Sequence, residues 1–225
     1  MQITQLTLRT ADINQLYPFY AEVLGLPMLT RTDSTFTVQI GASQLVFVEE
    51  TGFTGLYHTA FNIPENQFPA AVAWLTHRVP LIATKDGTTQ FHTTDWNAHN
   101  VYFYDSAGNI LELIARHDLP SASDEPFWAH RLLNISEVAL AAADSRVLAA
   151  QLKQAMPGLT IFRNSQSDHF NALGDDEGMF IVVTAGREWY PETGKTAGLF
   201  PVEAVVVHNG THYTVSSDPL VITQA

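Results

Sequence analysis

The stretches ITQLTL (Ile3–Leu8) and ISEVAL (Ile135–Leu140) decide the fold, because the same pattern of residues follows both of them. Each stretch has the spacing of apolar and polar residues that is typical of a half-buried strand. Each is followed by an aspartate, Asp12 or Asp144, which is placed to cap an amphipathic helix. The chain therefore contains an internal repeat, which indicates that one structural unit is used more than once.

A third, weaker copy of the repeat begins at LYHTAF (Leu56–Phe61), and Pro64–Glu65 is predicted to open its helix. Short alternating segments separated by turn residues follow each helix, so each module is predicted to run strand, helix and about three strands. When the three copies are aligned, Gln5, His58 and Glu137 occupy one equivalent position. The repeat thus links three polar residues on predicted first strands.

This arrangement predicts an α+β fold, in which paired βαβββ modules form cupped mixed sheets with the helices on the outside. Residues 119–133 begin with a segment rich in proline, serine and acidic residues, and are predicted to be a linker. On this interpretation residues 1–118 form a first module pair that carries the candidate site. Residues 134–225 form a second, degenerate module region, because its strand-rich end is too short for a full copy.

Composition excludes several classes of function. The 225 residues include 11 Lys and Arg against 23 Asp and Glu, a formal net charge of -12, so neither a nucleic acid nor a membrane is expected as a partner. The absence of cysteine excludes disulfides and thiolate metal sites, whereas nine histidines leave open a metal site with nitrogen and oxygen ligands. No apolar run resembles a signal peptide or a membrane span, so a cytoplasmic protein is expected.

Glu112 is the first residue whose position suggests chemistry. Strand alternation places Ile110 and Ile114 on its own face and leucines on the other, so apolar residues surround the carboxylate. An ionised carboxylate buried without a partner is costly, so a metal, an arginine or a proton must compensate for its charge. The alternative is a glutamate on an edge strand that reaches solvent.

His58 is likewise a polar residue in an apolar, strand-like segment. By itself it is more typical of a hydrogen-bonded core histidine than of a ligand. If the sheets curl into a cup, however, His58 and Glu112 face each other, with Gln5 beside them. The sequence then predicts a Gln, His and Glu cluster on the floor of a concave sheet.

The modules, together with His58 in YHTAF (Tyr57–Phe61) and the stretch DSAGNILE (Asp105–Glu112), resemble the vicinal oxygen chelate superfamily. That group includes glyoxalase I, fosfomycin-resistance thiol transferases, bleomycin-binding proteins and extradiol ring-cleaving dioxygenases. The resemblance covers the first half of the chain and recurs more faintly in the second. It implies one divalent metal, Fe(II) or Mn(II), held by Gln5, His58 and Glu112.

Among these relatives the extradiol dioxygenases are the most similar. The place of the fourth glyoxalase ligand is taken by Val46, while the stretch around Tyr102 resembles the dioxygenase signature, with Ser106 in place of its proline. The resemblance implies that Tyr102 hydrogen-bonds a substrate oxygen and that His92, or alternatively His99, moves a proton. Thiol transferases carry a similar tyrosine, so this match does not single out oxygenase chemistry.

The leading hypothesis is therefore a metal-dependent, extradiol dioxygenase-like oxidoreductase that acts on a small molecule such as an aromatic diol. Gln5 in place of the usual histidine favours an alternative, a non-catalytic small-molecule binding protein of the bleomycin-resistance type. A glyoxalase-like lyase is a third possibility. Modules of this family pair within a chain or across a dimer, so a homodimer is compatible with the sequence.

The second half of the chain is interpreted as a structural partner that has lost its metal site. Glu137 holds the place of a first ligand, but Val182 occupies the place of the carboxylate on the last strand. Trp189 and Tyr190 have two interpretations, as the border of a binding mouth or as a packing cluster beside a proline.

Overall fold

Three consecutive segments of the chain share one order of elements, as the repeat predicts. The structure is a computed structural model, and it describes residues 1–224. In each segment a first strand is followed by a helix and three further strands. The first segment comprises β1 (Gln2–Thr10), α1 (Ile13–Pro18), β2 (Met28–Arg31), β3 (Thr35–Ile40) and β4 (Ser43–Glu49).

The second and third segments repeat this order, and a fourth segment follows that contains strands alone. The second comprises β5 (His58–Ile63), α2 (Phe68–Thr76), β6 (Gln90–Thr93), β7 (Ala98–Tyr104) and β8 (Ile110–Arg116). The third comprises β9 (Asn134–Ala142), α3 (Ser145–Ala155), β10 (Ile161–Gln166), β11 (Phe170–Asp175) and β12 (Gly178–Thr184). The fourth comprises β13 (Glu203–His208), β14 (Thr211–Ser217) and β15 (Leu220–Gln224).

Aspartates begin two of the helices, as predicted. The carboxylate of Asp12 accepts hydrogen bonds from the backbone N–H groups of Asn14 and Gln15 at 2.8 and 3.2 Å. Asp144 accepts one from the N–H of Arg146 at 2.9 Å. These bonds satisfy N–H groups that have no acceptor within the helix.

One helix ends at a proline, and another begins later than predicted. α1 ends at Pro18, which cannot donate a helical hydrogen bond, and the chain continues as a π-helical turn over Phe19–Val23. Pro64 begins a turn rather than α2, because the N–H of Gln67 donates to its carbonyl at 2.9 Å and the helix starts at Phe68. Along residues 1–224, no helix has the length and apolar character needed to cross a membrane.

Strand pairing explains how the modules assemble. Within each full module the first strand runs parallel to the last, so that β1 pairs with β4, β5 with β8 and β9 with β12. Between modules the first strands pair antiparallel, β5 with β9 and β1 with β13. The second module therefore pairs with the third, and the first module pairs with the fourth segment.

This pairing crosses the boundary predicted between residues 1–118 and 134–225. Strand β9 lies between β1 and β5, so the two modules of the first half do not pair through their first strands in the part of the chain that the structure describes. The sequence-based interpretation paired modules by their order along the chain. Backbone pairing between first strands does not depend on that order. The connection between β8 and β9 has 17 residues (117–133), which is long enough for the first strand of the third module to pair with that of either earlier module.

Hydrophobic clusters cover both faces of the sheet around β5. The larger cluster holds the helices against the sheet through side chains such as Leu16, Phe61 and Leu152, which are fully buried. Each such side chain contributes about 1.5–3 kcal/mol relative to exposure. A smaller cluster, which includes Tyr102 and Met179, lies on the opposite face and surrounds the candidate site.

Candidate metal centre

Strand register brings three metal-ligating side chains together. Ala60 on β5 pairs with Glu112 on β8 and with Glu137 on β9. Because side chains alternate along a strand, His58, two residues before Ala60, points to the same face. The ligand atoms of His58, Glu112 and Glu137 all lie within 4.8 Å of one another. Ala60, which lies between the two glutamates in the sheet, is fully buried.

The three side chains are buried and close enough to share one ion. The Nε2 atom of His58 lies 3.4 Å from Oε2 of Glu112 and 3.8 Å from Oε2 of Glu137. Two ligands at about 2.1 Å from a common ion are at most about 4.2 Å apart, so both separations fit a shared divalent cation. One imidazole with two carboxylates is a donor set that suits Mn(II) or Fe(II) better than soft metals. His58, Glu112 and Glu137 could therefore hold a metal ion.

His58 is held in a strongly acidic setting. Burial by itself lowers the pKa of its imidazole, but the contacts with Glu112 and Glu137 outweigh burial and raise the pKa to about 9. Its ring stacks on the indole of Trp189, with centroids 5.3 Å apart and planes at 28°. Its Nδ1 atom has no hydrogen-bond partner within residues 1–224, whereas the second ring nitrogen of most metal-binding histidines donates a hydrogen bond.

Glu112 is oriented by its neighbour across the β7–β8 pair. The amide of Asn100 donates a hydrogen bond to Oε1 of Glu112, which leaves Oε2 to face His58. Burial raises the pKa of Glu112, and the nearby charge of Glu137 raises it further, while His58 and Asn100 oppose this shift. A cation between the two carboxylates would relieve the repulsion between them.

Arg116 at the end of β8 fixes the other carboxylate. Its guanidinium is fully buried, and Nη2 donates to Oε1 of Glu137 at 2.5 Å while Nε donates to the hydroxyl of Ser136 at 3.2 Å. The rings of Trp96 and Phe162 lie 5.3 and 5.6 Å from the guanidinium carbon. One oxygen of Glu137 is thus engaged by Arg116, and Oε2 remains directed at His58.

Two states compensate the negative charges of the buried Glu112 and Glu137. With His58 protonated, the charges of His58 and Arg116 cancel those of Glu112 and Glu137. With a divalent cation bound and His58 neutral, the sum is one positive charge, which an anionic ligand would neutralise. Because an unpaired buried charge is costly, either state is more stable than one that has neither the proton nor the metal.

A cavity of about 150 Å³ opens above the three ligand side chains. Its walls are largely aromatic, and its floor is formed by the ligand side chains and Asn100. The lining residues are His58, Thr93, Trp96, Asn100, Tyr102, Glu112, Glu137, Phe170, Ile181, Arg187, Trp189 and Tyr190.

Tyr102, to which the resemblance assigns substrate binding, lies at the cavity. It lies on β7 opposite Glu112, lines the cavity and is largely buried. Burial, followed by the charge of Glu112, raises the pKa of its phenol well above the usual value. Tyr102 therefore keeps its proton at neutral pH and can donate a hydrogen bond into the cavity.

Gln5 does not join His58 and Glu112, contrary to the sequence-based ligand set. It lies on β1, where it pairs with Gln44 on β4 and Val205 on β13, and β9 separates it from β5. The equivalent position in the site is taken by Glu137, because the third module rather than the first pairs with the second. The second half of the chain thus supplies one of the three residues that could hold a metal, and its interpretation as a region without a part in the site is corrected.

His92 and His99 also lie outside the cavity, so neither is placed to move a proton there. Phe91 packs against Tyr102, with ring centroids 5.5 Å apart, and strand alternation turns the following residue, His92, to the opposite face. The rings of His92 and His99 stack on each other there, 4.5 Å apart.

Two residues of the site, Glu137 and Arg116, were not predicted from the sequence. Glu137 carried a usable signal, since the repeat aligns it with His58, but module order suggested the wrong partner. Arg116 continues the alternation of Glu112 and Ile114, which places it on the same face. No pattern in the sequence shows that its charge is directed at Glu137.

Comparisons with known proteins agree with this architecture. No protein-family model matches the chain, and no curated protein matches it. A candidate dioxygenase from Bacillus subtilis is 15% identical in sequence, and the match covers 96% of this chain and 81% of that one with a TM-score of 0.59. The chain therefore has the glyoxalase/bleomycin resistance/dioxygenase fold, and the predicted α+β class is confirmed.

Two enzymes give weaker matches. Lactoylglutathione lyase from Agrobacterium tumefaciens is 19% identical, with 50% of this chain and 91% of that chain covered and a TM-score of 0.41. A glyoxalase I mutant from Zea mays is 15% identical, with 81% of this chain and 66% of that chain covered and a TM-score of 0.49.

Proposed function

We propose that this protein is a metal-dependent enzyme of the vicinal oxygen chelate type and that it cleaves the ring of a catechol-like aromatic diol. The observation that carries the proposal is the convergence of His58, Glu112 and Glu137 on the floor of an aromatic cavity. The resident metal is proposed to be Fe(II) or Mn(II), which supplies Lewis acidity and a centre for dioxygen chemistry when bound. Three protein ligands would leave further coordination positions of such an ion open to a substrate.

The chain's own residues prepare the cavity for such a substrate. Arg116 and Asn100 each hold one oxygen of a ligand carboxylate, so the remaining oxygens are fixed in place before a ligand arrives. Tyr102 donates a hydrogen bond to a substrate oxygen from its protonated phenol. Trp189 and its aromatic neighbours exclude water, which strengthens the electrostatic interactions inside the cavity.

Oxygen uptake tests the proposed reaction. The purified protein is loaded anaerobically with Fe(II) or Mn(II) and mixed with a panel of catechols in an oxygen electrode. We expect oxygen consumption with at least one diol and the appearance of a ring-opened chromophore, and we expect both to be lost in Glu112→Gln. A fully metal-loaded protein that consumes no oxygen with any diol would contradict the dioxygenase proposal.

A second candidate function is a small-molecule binding protein without catalysis. The observation that favours it is the charge balance of His58, Arg116 and the two glutamates, which needs only a proton on His58. Elemental analysis of the protein as purified separates the two functions. A stoichiometric metal that is lost in Glu112→Gln favours the enzyme, whereas a metal-free protein that is stabilised by aromatic compounds favours the binding protein.

A further inference from the structure

Arg187 gives the cavity a positive charge that the protein does not neutralise. It follows β12, lines the cavity and is half-buried. Within residues 1–224 no carboxylate lies within 4.0 Å of its guanidinium, whereas buried Arg116 is paired with Glu137. Nη1 of Arg187 donates to the carbonyl oxygen of Glu188 at 3.2 Å, and the guanidinium lies 5.1 Å from the ring of Phe170. These contacts orient the guanidinium without balancing its charge.

A second hydrogen-bond donor lines the same cavity two residues further on. Trp189 is only 5% exposed, and its indole Nε1 has no hydrogen-bond partner among residues 1–224. An indole N–H can only donate, and leaving a buried donor without an acceptor costs about 1–3 kcal/mol. Arg187 thus presents an unpaired cation at a cavity wall that Trp189 also forms, and a carboxylate satisfies such a cation.

The cavity size and its walls limit the rest of the ligand. A volume of about 150 Å³ matches an engineered cavity that accepts benzene, so a single aromatic ring fits. Trp96, Tyr102 and Phe170 supply aromatic surface for such a ring. A larger fused ring system would exceed the available space unless it projected through the opening.

We propose that the cavity binds a monocyclic aromatic acid, whose carboxylate pairs with Arg187. The inference builds on the proposed function, because it names the substrate class as a diol that also carries an acid group. The carboxylate lies at the wall formed by Arg187 and Trp189, and the opposite edge of the ring faces His58, Glu112 and Glu137.

Binding of matched probes tests this assignment. Dissociation constants are measured by calorimetry for 4-hydroxybenzoate and for its neutral analogue 4-hydroxybenzamide, with the metal content of each sample determined in parallel. We expect the acid to bind the metal-loaded protein about tenfold more tightly than the amide, since a hydrogen bond to a charged group contributes about 1.5–3 kcal/mol. Arg187→Gln should abolish that preference and leave amide binding unchanged, while Arg187→Lys should restore part of it.

Further variants separate Arg187 from other sources of anion binding. Arg31→Gln removes an exposed arginine that stacks on Tyr17, so it should not alter the preference. Circular dichroism checks that each variant is folded.

The outcomes distinguish this inference from the proposed metal chemistry. Glu112→Gln should lose the metal and keep the preference for the acid, because that preference depends on Arg187. Equal binding of the two probes, binding of neither, persistence of the preference in Arg187→Gln, or its loss in Glu112→Gln would each overturn the inference. A protein that binds no metal but retains an Arg187-dependent preference would overturn the proposed enzyme and leave the binding specificity in place.

Discussion

Single residues determine whether this fold can hold a metal. Glu137 is the residue that the sequence alone assigned to a lost site in the second half of the chain. Its carboxylate shares the floor of the cavity with His58 and Glu112, and Arg116 holds its second oxygen. The candidate Gln5 is an amide on a strand that belongs to a different module pair. The two ligand sets, one with Gln5 and one with Glu137, make different predictions for mutants.

Metal affinity in two variants distinguishes these ligand sets. Glu137→Gln keeps the size of the side chain but removes its charge. We therefore expect the affinity for Mn(II) to fall by about tenfold to a hundredfold. Gln5→Ala should leave the affinity within about twofold, because Gln5 lies outside the cavity. Both affinities are measured by competition with a chelating dye. A large loss in Gln5→Ala with none in Glu137→Gln would restore the ligand set derived from the sequence.

The pKa of His58 predicts how the metal-free protein responds to pH. The folded-state pKa of about 9 lies above the ordinary value of 6.5, so protonated His58 stabilises the fold fully below pH 6.5, and this contribution is lost as the pH rises through 9. The free energy of unfolding should therefore fall between these pH values, by up to about 3 kcal/mol. Urea titrations across this range measure the effect, with His58→Gln as the control that should show a flatter profile.

Metal binding should show the opposite dependence on pH, because an imidazole must lose its proton before it can bind an ion. At pH 7 we expect about one proton to be released for each metal ion bound, and the affinity to rise toward pH 9. Calorimetry in buffers with different ionisation enthalpies counts the released protons. A count near zero at pH 7 would mean that His58 is neutral before the metal binds.

At the scale of secondary-structure elements, strand β5 positions the site because it lies between β8 and β9. Alternation along the strand fixes the direction of His58, and register fixes which glutamates flank Ala60. A one-residue change in register would turn Glu112 or Glu137 to the opposite face. The same rule explains His92, which lies one residue away from a position that faces the cavity.

Ala60 offers a direct test of this arrangement. Ala60→Val places additional methyl groups between the two carboxylates, so we expect the metal affinity to fall about tenfold, with an overpacking cost of about 1–3 kcal/mol in the free energy of unfolding. Ala60→Ser is nearly isosteric and should retain most of the affinity. The two variants are compared by metal titration and urea denaturation. Unchanged metal affinity in Ala60→Val would show that the added methyl groups do not disturb the two carboxylates.

At the scale of the whole molecule, the two halves of the chain are held together by pairing of first strands. The second module pairs with the third through β5 and β9, and the first pairs with the fourth segment through β1 and β13. The candidate site spans the halves, with His58 and Glu112 in one and Glu137 in the other. The predicted linker connects them but does not separate two independent pairs.

Cleavage of the linker should therefore leave the protein assembled. A protease site inserted between the exposed residues Asp124 and Glu125 allows the chain to be cut after folding. We expect the two fragments to elute together at the volume of the intact protein of 24.9 kDa, and to separate only in denaturant. The cut protein should retain its metal affinity. Fragments that separate under native conditions would contradict the pairing of modules across the halves.

The sequence by itself determined the module, because alternation, helix caps and turn residues act over a few neighbouring positions. It therefore indicated the α+β class, the caps Asp12 and Asp144, and the placement of His58, Glu112 and Tyr102 on predicted strands. Only the tertiary structure decided which modules pair, since the first strands present similar edges and the linker permits more than one arrangement. That choice replaced Gln5 with Glu137 and directed Arg116 at its carboxylate, because the neighbours of a strand are set by packing of the whole molecule.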